Sequence, residues 1–200
     1  MSIPWAPILE FWFGDESDDA RVAASQAGLW WGKDPAVDRE IRDRFAGSVE
    51  RAAAGELDHW GDEARGKLAL ILLCDQFPRN IHRDTPRAFA TDERALGYAT
   101  ALIDSGKDRE LRAIERVFVL LPLEHSENIE HQDRCVAAMR RLASSVPDAQ
   151  REPFDTFVDF AERHRDVIAR FGRFPHRNRI LGRESTDAER TFLQQPGSSF

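Results

Sequence analysis

The stretch KLALILLCDQ, Lys67 to Gln76, is apolar almost all the way round a helix, with no polar residue from Leu68 to Cys74. A surface helix carries one apolar stripe, so a helix without a polar face has to be covered by neighbours on every side. The chain must therefore supply enough other helices to enclose this one. They are readable along its length. Ser2 to Phe13 offers a capping serine and Trp5, Ile8, Leu9 and Trp12 at helical spacing. Asp34-Pro35 opens a helix carrying Val37, Ile41, Phe45 and Val49 and stopping at Gly55. Asp62 is placed to cap the central helix, and Pro78 ends or kinks it.

Beyond it, Thr85-Pro86 starts a helix running to about Asp104, with Gly106 as its stop. Asp108 caps the next, whose stripe of Leu111, Ile114, Phe118 and Leu121 reaches Pro122. Ser126, with Glu127 in the first turn, opens another with Ile129, Val136, Met139 and Leu142 inward. The longest runs from about Asp148 to Phe171 and is stopped by Gly172. Thr186 to Glu189 matches a capping box, opening a short last helix to about Gln194. The expected fold is all-α, a compact bundle of about eight helices in antiparallel hairpins with short connections. It forms a single domain over residues 1–195, with a loose tail at 196–200.

Charge and cysteine usage narrow the function classes. A net charge of −7 argues against general attraction to nucleic acid or an anionic membrane. The longest strictly apolar run, Leu68 to Cys74, is too short to span a bilayer. The N-terminus lacks the pattern of a signal peptide, so a cytoplasmic location is expected. Cys74 and Cys135 fall on apolar helix faces without paired spacing and read as reduced core residues. With three lysines, Lys33, Lys67 and Lys107, nearly all positive charge is arginine, a compositional skew that weakens the meaning of any one arginine.

Four places put polar groups where packing expects apolar ones. In CDQFPRNIHR, Asp75 and Gln76 continue the buried helix, and a buried carboxylate needs a cationic or hydrogen-bonding partner. Asp75 is either a structural ion pair with an arginine or a catalytic group, and Asn80 either satisfies loop carbonyls or binds ligand. In LPLEHSENIEHQ, Glu124, His125, Ser126 and Glu127 sit at a proline-marked helix start, able to supply base, acid and hydroxyl within one turn. Capping explains Ser126 and Glu127 but leaves Glu124 and His125 over. His164 occupies a heptad seam between Phe157 and Phe171, facing the core, where its ring nitrogens need partners such as Asp75. The same helix exits into FGRFPHRNRILGRES, bringing His164 within about 11 Å of Phe171 and Gly172 along the axis. The helix dipole accounts for Arg173 and fades before His176, Arg177 and Asn178.

QFPRNIHR at 76–83 and RFPHRNRILGR at 173–183 echo each other, each directly after a long buried helix; the echo is either two walls of one pocket or a chance match of short motifs.

These segments together resemble the bacterial domain-of-unknown-function family 924. The residues that carry the likeness are ILEFWFG at 8–14, LALILLCDQFPRNIHR at 68–83, LPLEHSE at 121–127, HRDVIARFGRFPHRNRILGRES at 164–185 and T-x-x-E-x-x-FL at 186–193. Cys74 stands where leucine is expected, and Val119-Leu120 where an aromatic is usual. The resemblance implies a compact tetratricopeptide-like helical fold and no established activity. It maps the polar motif onto Asp75, Gln76, Arg79, Asn80, Glu124, His125, Ser126, Glu127, His164, Arg173, His176, Arg177 and Asn178.

Two functions fit. One is a small-anion binding protein or enzyme, a hydrolase or transferase. Arg79, Asn80, Arg173, His176, Arg177 and Asn178 would grip a carboxylate or phosphate, and His125 or His164, oriented by Glu124 or Asp75, would move the proton. No cofactor is expected; a divalent metal on His125, His164, His176 and a carboxylate lacks diagnostic spacing. The other is a tetratricopeptide-like module that clamps a peptide C-terminus, with Trp30 and Trp31 as contacts or else packed under a loop.

Overall fold

The computed structural model describes residues 3–198, so the expected cap at Ser2 and the tail residues Ser199 and Phe200 lie outside the described residues. Among the described residues the chain is helical and contains no strand. Its helices are α1 (Ala6–Phe13), α2 (Asp19–Trp31), α3 (Pro35–Ala53) and α4, which runs Ala64–Ile71, passes through a π-helical turn Leu72–Gln76 and ends as Phe77–Ile81. There follow α5 (Asp92–Asp104), α6 (Ala113–Glu124), α7 (Ile129–Ser145), α8 (Arg151–Phe171) and α9 (Asp187–Leu193). Among the described residues no helix is long and apolar enough to cross a membrane.

The all-round apolar reading of α4 holds: Leu68 through Cys74 are each 0% exposed. Helices α3, α5 and α6 enclose it, and Phe77 on it meets Trp12, Phe45 and Phe11 of the aromatic core. Locally coded ends also stand. Asp34 Oδ1 accepts the Ala36 N–H at 2.7 Å before Pro35, Gly172 stops α8 at φ +69°, and Thr186 and Glu189 form the reciprocal cap of α9. Cys74 and Cys135 are free and buried.

Several boundaries differ from the sequence expectation. Helix α2 went unread because only Val22, Ala23 and Trp30 of it are buried, too thin a stripe for periodicity to detect. Its last turn buries Trp30, whose Nε1–H donates to Trp12 O at 2.9 Å, and leaves Trp31 48% exposed and stacked on Phe118. Asp62 ends a 3-10 turn and α4 begins after Glu63. Asp108 likewise lies in a 3-10 turn, and the Arg112 N–H at the start of α6 is taken by Glu115 at 3.0 Å. Thr85-Pro86 opens only the turn Pro86–Phe89, and α5 starts afresh at Asp92.

The most consequential difference is at Pro122, which lies inside α6 rather than ending it. The cap of α7 is Asn128, accepting the Glu130 N–H at 2.8 Å, so Ser126 and Glu127 precede that helix. Glu124 and His125 thus sit at the C-terminal end of α6, where the dipole disfavours an anion. Buried Gln132 closes that end, donating through Nε2 to the carbonyls of Glu124 at 2.6 Å and Ser126 at 2.7 Å.

Candidate functional site

Asp75 owes its place to the π turn. Phe77 N–H bonds back to Leu72 O, five residues earlier, and the turn holds Asp75 and Gln76 fully inside the protein. Pro78 has no N–H to give the Cys74 carbonyl; Thr91 Oγ1 donates to it instead at 2.6 Å, tying the start of α5 to the turn. Arg79 Nη1 donates to the Asp75 carbonyl at 2.6 Å. One distortion of α4 thereby gathers Asp75, Arg79 and Asp92.

The Asp75 carboxylate accepts from Gln76 Nε2 at 2.5 Å and from His125 Nδ1 at 2.7 Å, with Arg79 Nη1 at 3.3 Å. Burial opposes its charge, but Arg79 and then His125 hold its carboxyl well below the usual range. An ionised carboxylate only accepts, so His125 carries its proton on Nδ1 and leaves Nε2 as a lone-pair site. Burial first, then Arg79, pushes the His125 pKa down while Asp75 opposes. His125 is thus a neutral imidazole oriented by a buried carboxylate, and no hydrogen bond among the described residues engages Nε2. This is the geometry of a general base.

Glu124 pairs with His164, not with His125. Its Oε1 lies 3.2 Å from His164 Nδ1, which also donates to Phe160 O at 2.8 Å on its own helix. Burial, reinforced by the Asp75 charge, pushes the Glu124 carboxyl up to about 8, and burial brings His164 down to about 3. Both are uncharged at pH 7. The rings of His125 and His164 are 6.4 Å apart, so the two acid–base pairs lie side by side. Asp75, suggested by sequence for His164, serves His125 instead.

The arm after α8 supplies the remaining pieces. Phe174, 0% exposed, seats it against Val167 and Ile168. Glu127 accepts the Phe174 N–H at 2.8 Å and a bidentate pair from Arg183 at 2.7 and 2.9 Å. That makes Glu127 a clamp on the arm. Arg173 is engaged bidentately by Glu189 at 2.7 and 2.9 Å, and Asn178 joins Ser185 and Arg183. Asn80 is likewise occupied away from the cluster, donating to Asp38 at 2.9 Å beside Arg83. Asn80, Arg173 and Asn178 therefore hold chain segments in place. His176 stays with the cluster, where burial and then Arg177 bring it down to about 4.

Arg177 is the buried cation of this network that no carboxylate meets at hydrogen-bonding distance. It is 7% exposed, its Nε has no hydrogen-bond partner, and its Nη1 lies 3.7 Å from Asp92 Oδ2. Asp92 is already committed to Arg79 at 2.8 and 3.0 Å. The Arg177 guanidinium carbon sits 4.9 Å from the Phe89 centroid and 4.5 Å from that of Phe174. Burial, with repulsion from Arg79, lowers its pKa to about 10. Asp92 and Phe89 were missed in the sequence because 85–104 read as one helix; Thr91-Asp92-Glu93, a second start signal within it, was the available clue.

Among the described residues no three His, Cys, Asp or Glu side chains are gathered to hold a metal, and His125, His164 and His176 do not form such a group. Shallow hollows of about 300 and 500 Å³ lie elsewhere, one beside Arg140 and Arg165 and one beside Arg170 and Phe171.

A solved structure titled "Structure of Protein of Unknown Function ATU0120 from Agrobacterium tumefaciens" is 38% identical to this chain, covers 95% of it and 96% of its own length, and superposes with a TM-score of 0.80. No curated protein matches the chain. The family model described as bacterial protein of unknown function (DUF924) matches residues 8–197, and the chain belongs to that family.

Proposed function

We propose that the chain binds a small anionic metabolite, a carboxylate or a phosphate, at Arg177 and Arg79, and acts on it through His125. The observation that carries this is Arg177: a guanidinium 7% exposed with an unpartnered Nε and no carboxylate within hydrogen-bonding distance. Leaving a buried charge so poorly met costs several kcal/mol, on the order of the penalty for breaking a buried ion pair. A bound anion offsets that cost. Beside it, the Asp75–His125 pair is a base and protonated Glu124 is a donor, two titratable groups whose environments push their pKa values apart. Hydrolysis or group transfer is the reaction class this supports. His176 lines the same place, and the free, buried cysteines suit a cytoplasmic protein.

The test is thermal unfolding of the full chain against organic acids, phosphates and divalent metals, with Arg177→Ala as control. A ligand at a hundred times its dissociation constant adds about 2.7 kcal/mol. Stabilisation by anions that vanishes in Arg177→Ala supports the reading, and no shift across the panel removes it.

A second reading is the tetratricopeptide-like peptide module. It draws on the ion pairs Arg140–Glu162 at 2.6 Å and Arg165–Asp133 at 2.9 Å, whose crossed order suits α7 and α8 as an antiparallel hairpin, and on exposed Trp31. It expects a peptide with a free C-terminus to bind and its amidated form to fail.

A further inference from the structure

The carboxylate nearest Arg177 is one the protein supplies itself, and it fits poorly. Asp92 meets Arg79 with both oxygens and reaches Arg177 only at 3.7 Å, because one short side chain cannot present a fork to two guanidiniums. We propose that Asp92 stands in for the ligand, and that the site takes a monocarboxylate, which displaces the Asp92 side chain from the arginine pair. This rests on the anion reading above and narrows it to one ligand class.

Three features carry the inference. The first is access. The side chains of Asp92 and Arg79 are 23% and 20% exposed while that of Arg177 is 8%, so the cluster opens to solvent on the Asp92 side. An entering anion meets Asp92 before it meets Arg177.

The second is shape. The rings of Phe89 and Phe174 lie against the Arg177 guanidinium, and Phe89 also lies 5.6 Å from that of Arg79. Aromatic cover leaves the in-plane edge, with its unpartnered Nε, as the place for an acceptor. A planar carboxylate with an apolar body matches a planar fork between rings. A phosphate can meet the same fork, but its tetrahedral, strongly hydrated body has no apolar part to set between the rings.

The third is charge. Arg79 and Arg177 are balanced by Asp75 and Asp92, and Glu127 by Arg183. His125, His164, His176 and Glu124 add no charge at pH 7. Exchanging Asp92 for a monocarboxylate preserves this balance inside the site, whereas a phosphate dianion adds an uncompensated negative charge near Asp75 and Glu127. The displaced Asp92 also has somewhere to go. It is the first residue of α5, whose N-cap Thr91 makes no side-chain cap because its hydroxyl serves Cys74. The open N–H groups of that helix end favour a carboxylate.

Two measurements on the full chain test the exchange. In the first, the Nε–H resonance of Arg177 in the wild-type protein is followed by NMR during titration with acetate, benzoate or inorganic phosphate at low ionic strength and pH 7. Acetate and benzoate are expected to shift it, and phosphate to shift it less at equal concentration. In the second, calorimetry compares wild type with Asp92→Asn, a near-isosteric change that removes the internal competitor. Freeing the binding-competent state raises apparent affinity in proportion to its population, and about a tenfold gain for benzoate is expected. Equal or weaker benzoate binding by Asp92→Asn overturns the exchange, as does phosphate outcompeting acetate in the wild-type titration. If no probe moves the Arg177 resonance and none binds either protein, the anion reading itself falls.

Discussion

The arms at 76–83 and 173–183 use the same residues to different ends. In each, a Phe-Pro pair anchors the backbone, an arginine reaches Asp92 and Phe89, and an asparagine turns away to a second arginine and a carboxylate. Asn80 and Arg83 both donate to Asp38 in the first arm, and in the second Asn178 accepts from Arg183, which in turn holds Glu127. What separates them is saturation. Arg79 holds two carboxylates and a backbone carbonyl, whereas Arg177 holds none within hydrogen-bonding distance. Sequence similarity between the arms therefore marks a shared architecture, and the difference in partners is the observation on which the anion proposal rests.

The sharpest way to break this comparison is to delete each arginine in turn. Arg79→Met leaves Asp75 charged and fully buried, with His125 and Gln76 as its remaining hydrogen-bond partners among the described residues. Removing one partner of a buried pair costs about 3–5 kcal/mol, to be read by urea denaturation. A loss below about 1 kcal/mol, the scale of a surface ion pair, would show that Arg79 is no more committed than an exposed residue.

The second prediction concerns the neutral pair beside them. Glu124, pushed up to about 8, keeps a proton in the folded chain that the unfolded chain releases near its ordinary 4.5. The folded state binds more protons across that window, so this contribution is complete below about pH 4.5 and is lost as pH rises through 8. His164, brought down to about 3 from 6.5, acts in the opposite sense, adding stability as pH rises, but only up to 6.5. His125 and His176 are lowered likewise. Between pH 6.5 and 8 the Glu124 slope stands alone among these groups, amounting to ~2 kcal/mol at 1.36 kcal/mol per unit. Wild type should lose stability over that interval, and Glu124→Gln should flatten the curve. Parallel curves for the two proteins would mean that Glu124 is ionised and paired.

Much of this was legible because it is local. The stripe of α8, the inward seam of His164, the stop at Gly172 and the box at Thr186 each depend on residues within a turn or two. The pairings were not legible, because Asp75 meets His125 and Glu124 meets His164 only when α4, α6 and α8 are packed together. Pro122 misled because its ring is tolerated inside α6, which moved Glu124 and His125 from a helix start to a helix end. The π turn has no periodic signature, and composition alone could not separate the satisfied asparagines from the unsatisfied arginine.

The smallest expected effect decides the comparison. Arg177→Met removes a buried cation, and the carboxylate it approaches, Asp92, keeps its bidentate bond to Arg79. Methionine fills similar space between Phe89 and Phe174 and makes favourable sulfur–ring contacts, partly replacing the lost cation–π attraction. Replacing a poorly compensated buried charge by an apolar group is neutral or stabilising, here by about 1 kcal/mol. Arg79→Met and Arg177→Met should therefore move the urea midpoint in opposite directions although both remove an arginine from one cluster. Since native chains retain costly buried charges where function needs them, a gain in stability together with loss of anion binding would identify Arg177 as a ligand-binding residue. A loss of several kcal/mol would instead make the second arm a structural copy of the first.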